Sequence, residues 1–256
     1  MTVAVQSKAE FSPGRVLSQS VQLFFTRFHH YALVAIGLSL PQLAANLYLR
    51  PMMQSLVRNG AAEPRELGRY FALIAVSALI ALVVYGLCHA VLIDGAWHEL
   101  RGHGVDLGTM LRRGLSRAPV AIVLLLLLYV LITVGALLLV FPGIVFMTMA
   151  FVALPALVIE RTGPFRSLTR SIDLTEGYRW KIFGMLLLVL VPVLAGGGVV
   201  QFLLAPRIDP AASLVVGFLW QALGTAFSAI LSVSAYLALR VAKEGGEIDR
   251  MAAVFD

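Results

Sequence analysis

Residues able to do chemistry at a useful spacing are few in this chain, and the densest group is His89, Asp94, His98, Glu99 and His103. Asp94 and His98 are four apart and share a helical face, where an imidazole and a carboxylate can hold a divalent metal. His98 and His103, however, are five apart, not the four that a helical zinc motif needs. At about 100° per residue the two imidazoles diverge, and Gly102 and Gly104 weaken the helix between them. His29-His30 offers further ligands from another segment. The pattern reads as a polar connection, so no metal and no cofactor is expected. No serine sits in Gly-x-Ser-x-Gly, and no Gly-x-x-x-x-Gly-Lys loop occurs. No catalytic residue is assigned, and the chain is expected not to be an enzyme. The single cysteine, Cys88, lies in an apolar run, where it reads as a small hydrophobe.

Two other sets concern ligands rather than reactions. Gly217, Gln221, Thr225, Ser228, Ser232 and Ala235 form a small and polar stripe in an otherwise apolar segment. Gln221, Thr225 and Ser228 would line a polar path, or the whole stripe would simply let helices pack closely. Upstream, Pro192 with Gly196, Gly197 and Gly198 has the look of the broken helices that carriers use. The second set is Arg166, Arg170, Arg179, Trp180 and Lys181, at the edge of an apolar run. An indole suits the head-group region, and each nearby cation contributes on the order of 1 kcal/mol with anionic lipid. Alternatively these cations only fix topology.

The elements that must position these residues are apolar helices. Residues 118–141 hold no ionisable side chain except the phenol of Tyr129. A hydrocarbon core about 30 Å thick needs roughly 20 apolar residues in a helix. Six spans are expected: 31–49, 70–93, 118–140, 144–159, 182–205 and 212–240, with Phe141-Pro142-Gly143 as a tight reversal between the third and fourth. Hydrophobic residues are 59% of the chain and charged ones 13%, against about 45–50% and 25% in soluble domains. The net charge of +6 does not point to nucleic acid, because the basic residues flank the spans instead of forming one soluble patch. The first thirty residues lack a continuous apolar core, so no cleavable signal peptide is expected. The connections are too short for an independent catalytic domain, so residues 1–256 read as one integral membrane domain.

Lys and Arg divide 15 to 5 between the two faces of such a bundle. That bias places both termini in the cytoplasm. On the basic side three segments repeat apolar residues at helical spacing, at 13–28, 106–117 and 164–179. The first carries Leu17, Val21, Phe24 and Phe28, the second Leu107, Leu111 and Leu115, the third Phe165, Leu168 and Ile172. Each is an amphipathic helix that either lies in the membrane interface or packs on the bundle's own cytoplasmic end. Leu17-x-x-Ser20-Val21, Leu111-x-x-Gly114-Leu115 and Leu168-x-x-Ser171-Ile172 align, each before a span. The layout is then an amphipathic helix plus two spans, three times, with Ser20, Gly114 and Ser171 at a position of close helix contact.

The most specific stretch covers 141–190: Phe141-Pro142-Gly143-Ile144, Glu160-x-x-Gly163-Pro164, then Arg179-Trp180-Lys181. It resembles a group of uncharacterised bacterial membrane proteins related to the membrane domain fused to some glycerophosphodiester phosphodiesterases. The resemblance implies six helices and an inner-membrane location; the fused domain that carries the chemistry has no counterpart here. The sequence therefore points to an all-α polytopic bundle with six transmembrane and about three amphipathic helices. Its expected role is that of a non-enzymatic membrane component contacting lipid or a partner protein. The alternative is a small-molecule or lipid carrier or channel, and third is a membrane-embedded lipid enzyme.

Overall fold

The computed structural model describes residues 11–58, 64–102, 104, 106–138 and 140–255. Among them no strand occurs. The helices are α1 (Pro13–Thr26), α2 (Phe28–Arg58), α3 (Pro64–Leu100), α4 (Leu107–Leu138), α5 (Val140–Ala150), α6 (Ala153–Glu160), α7 (Pro164–Thr175), α8 (Arg179–Gly198) and α9 (Pro210–Phe255). Six stretches are long and apolar enough to cross a membrane: Phe28–Leu56, Arg65–Leu100, Leu107–Gly135, Pro142–Glu160, Arg179–Arg207 and Pro210–Gly245. The protein is an all-α, multi-pass membrane bundle.

Several boundaries differ from the expected ones. The amphipathic segment 106–117 is not a separate helix, because α4 runs unbroken from Leu107 through Pro119. Asp106 starts it, its carboxylate accepting from Thr109 N–H at 3.0 Å and Thr109 Oγ1–H at 3.1 Å. No left-handed residue follows to stop it, unlike the α7–α8 junction, where Gly177 takes φ 83°. Pro142 and Gly143 lie in the first turn of α5, so they are helical and do not form the reversal; α4 ends at Leu138. The fourth span starts earlier than residue 144 and breaks at Phe151-Val152 into α5 and α6. The fifth does not break at Pro192 or the glycines; it winds through them into a π-helical segment, Val199–Leu204, and a 3-10 turn, Ala205–Arg207. Arg161 closes α6 with φ 55°, and Gly163-Pro164 starts α7 with proline in its first turn.

α3 and α9 form the centre. Cys88, Ala90, Val91, Leu92 and Ile93 of α3 meet Ala226, Ala229 and Ile230 of α9, and α2, α4 and α6 close round them. α1 and α7 are not laid in the interface by their full apolar stripe. α1 turns Val16, Ser20 and Phe24 inward and leaves Val21 exposed, and Phe28, the first residue of α2, is exposed as well. Phe11 and Val16 share a cluster with Ile182 of α8 and Tyr236 and Leu239 of α9. α7 buries Ser167, Ser171, Leu174 and Thr175, leaving Phe165 73% exposed. Both therefore cap one end of the bundle, the end where the chain enters α2 and leaves α9. The small residues of the repeat lie at close contacts. Ser20 and Ser171 are fully buried, and Ser171 Oγ–H donates to Met149 O of α5 at 2.6 Å. Gly114 lies so close to α3 that an added Cβ would stand 2.8 Å from Val91 N. Away from these contacts Leu188, Val191, Leu194 and Phe202 face outward, forming an apolar belt suited to lipid chains.

Candidate functional site

At mid-depth the helices leave a cavity of about 690 Å³ between α2, α3, α4, α5 and α9. That volume lies within the range of about 300–1,000 Å³ common to ligand pockets. Its wall is mostly Ala, Leu, Val and Phe, and among the described residues no Asp, Glu, Lys, Arg or His lines it. The polar lining is neutral: Ser39 and Gln42 from α2, Tyr85 from α3, Tyr129 from α4, Gln221 and Thr225 from α9. Gln42 lies fourteen residues beyond Phe28, about 20 Å along the helix at 1.5 Å per residue.

Two of the three residues singled out as a path thus reach a common space. Thr225 Oγ1–H donates to the Gln221 backbone O at 2.9 Å, and both residues line the cavity. The third, Ser228, lies outside the lining and 3.2 Å from His89 Nε2. His89 Nδ1–H donates to Tyr85 O at 3.2 Å, so Nε2 carries the lone pair and the Ser228 proton is shared between it and Thr225 O. A Ser–His pair without a carboxylate on Nδ1 lacks the third member of a nucleophilic triad.

Gln42 was not among the sequence candidates. It is 7% exposed; its Nε2 donates to Asn46 Oδ1 at 3.1 Å, and its Oε1 is buried without a partner among the described residues. An amide oxygen so placed costs about 1–3 kcal/mol. The signal was the spacing of Ser39, Gln42 and Asn46 at i, i+3 and i+7 within an apolar span.

The titratable cluster is dispersed. His98 Nδ1–H donates to Asp94 O at 2.8 Å, so its Nε2 lone pair accepts from Arg113 Nη1–H at 2.9 Å. A lone pair held by a guanidinium is closed to a metal, and the cation beside it repels one. Glu99 turns to Arg27, 2.8 Å away, and His103 lies outside the described residues. His29 and His30 stack on each other at 4.1 Å.

The basic set divides. Arg166 and Trp180 are exposed, and Lys181 is 5.8 Å from the Tyr178 ring. Arg179 is half-buried, its Nε without a partner among the described residues. Arg170 turns inward instead. Its Nε–H donates to Glu160 Oε1 at 2.9 Å, and another N–H bonds Glu244, which also accepts from Arg240 Nε–H at 2.7 Å. Tyr236 O–H donates to the same Glu160 oxygen at 2.7 Å. Burial works against the Arg170 charge, but the bonds to Glu160 and Glu244 outweigh it and hold the pKa above its ordinary value. Arg170 ties α6, α7 and α9 together and is committed to the fold.

A family model described as a domain of unknown function, DUF7847, matches residues 62–240. The chain belongs to that family. The matched DUF7847 segment runs from α3 into α9 and supplies every cavity wall except α2, which brings Ser39 and Gln42. No curated protein and no solved structure matches the chain.

Proposed function

We propose that this protein is a non-enzymatic lipid-binding component of a bacterial inner membrane, with both termini in the cytoplasm. It takes the apolar part of an uncharged lipid into the mid-depth cavity, while Arg166, Arg179, Trp180 and Lys181 meet anionic head groups at the cytoplasmic end. The observation that carries the reading is the cavity itself: about 690 Å³, apolar, with only neutral polar groups among the described residues of its wall. An ion or proton pathway would need charged or titratable side chains at that depth. The 15 to 5 division of cations supports the orientation. Kinship with the phosphodiesterase-linked membrane domains remains part of the proposal, carried by the residues at 141–190.

The test is native mass spectrometry of the full chain released from mild detergent. Wild type is expected to retain lipid. Ala78→Phe, which places a ring into the cavity from an exposed wall position, should cut occupancy at least fivefold. A wild type that strips clean and does not rebind lipid contradicts the reading. A carrier is the second reading, favoured by Gln221 and Thr225 at the same cavity. Lipid transfer between vesicles that Gln221→Leu with Thr225→Val abolishes would favour it; lipid binding without transfer would not.

A further inference from the structure

On the cavity wall one buried polar atom has no partner among the described residues. Gln42 is more than nine-tenths buried, lines the cavity, spends its amide N–H on Asn46 and has an idle Oε1. No described donor bonds it, and the Gln221 amide and the Tyr85 and Tyr129 hydroxyls stand on other helices of the wall. The Ser39 hydroxyl is engaged with Cys88 Sγ at 3.5 Å, and the Thr225 hydroxyl donates to Gln221 O. The oxygen is itself buried, so a ligand's donor meets it as the Gln42 side chain turns toward the cavity. We infer that the cavity selects an uncharged lipid carrying a hydrogen-bond donor, an O–H or amide N–H, which it receives on Gln42 Oε1.

This inference rests on the lipid-binding reading and narrows it to a chemical class. The ligand is uncharged because no described side chain of either sign lines the space, and an unpaired head-group charge there would be prohibitive. It carries a donor because the waiting group is an acceptor. Membrane phospholipids without a free hydroxyl, such as phosphatidylcholine, fill the apolar space but leave Oε1 idle. A long-chain alcohol fills both needs. The selectivity is of the asymmetric kind: an analogue lacking the donor leaves the buried oxygen unpaired and is rejected for that reason.

The experiment uses the full chain in phosphatidylcholine nanodiscs, a bilayer that itself offers no donor, titrated with oleyl alcohol and with oleyl methyl ether. Bound mass is read by native mass spectrometry. The alcohol is expected to bind about tenfold tighter than the ether, and Gln42→Met should erase that ratio by weakening the alcohol alone. Equal binding of alcohol and ether by wild type overturns the inference while leaving the lipid-binding reading in place. No binding of either overturns both. If Gln42→Met does not fold, the wild-type ratio decides by itself.

Discussion

Two arginines one helical turn apart on α7 do different work. Arg166 is exposed on the basic end, whereas Arg170 is bonded to Glu160 and Glu244. Arg166→Gln should weaken binding to anionic vesicles severalfold and leave the melting temperature unchanged. Arg170→Gln should instead lower stability by about 1–3 kcal/mol, because it leaves Glu160 without its cation and Glu244 with Arg240 alone. Thermal unfolding in detergent and vesicle co-flotation separate the two outcomes. Equal behaviour of both variants would mean that α7 does not dock as described. Sequence alone put both residues in one lipid-facing set; the distinction depends on Glu244, 74 residues away in the chain, which local spacing cannot reveal. Gln42 was hidden for a related reason. Its side chain acquires meaning only when α3, α4, α5 and α9 close a space beside it.

At the level of helices, the repeated small residue was legible and the helix ends were less so. Ser20, Gly114 and Ser171 align by sequence, and all three occupy close contacts. The continuity of α4 was not legible, since an amphipathic stripe followed by an apolar run looks alike whether or not a turn divides them. The turn chemistry differs: Gly177 takes a positive φ between α7 and α8, and α4 has no such residue inside it. The Gly114 contact gives a signed prediction. In an open helix Gly→Ala adds roughly 0.5–1 kcal/mol of stability, and Gly217, with nothing within 4 Å of an added Cβ, should follow that rule. Gly114→Ala should reverse the sign and cost about 1–3 kcal/mol, because its methyl meets the Val91 backbone and α3 cannot yield locally. Unfolding in mixed micelles measures both. A stabilising Gly114→Ala would show that α3 and α4 lie further apart.

For the whole molecule, six crossings were legible from hydropathy and charge, because lipid demands long apolar helices whatever their partners. The arrangement of those helices was not, since lipid-facing and protein-facing apolar residues read alike in sequence. The cavity, and with it the lipid-binding proposal, depends on six crossings that put α1 and α7 at one end with the α9 exit, and the starts of α3 and α9 at the other. The most direct measurement is labelling of single cysteines in a Cys88→Ala background by a membrane-impermeant maleimide on intact spheroplasts. Ser55→Cys and Asp209→Cys should label from outside, and Ser18→Cys and Arg166→Cys only after permeabilisation. Labelling of Ser18→Cys and Asp209→Cys from the same side would contradict the account.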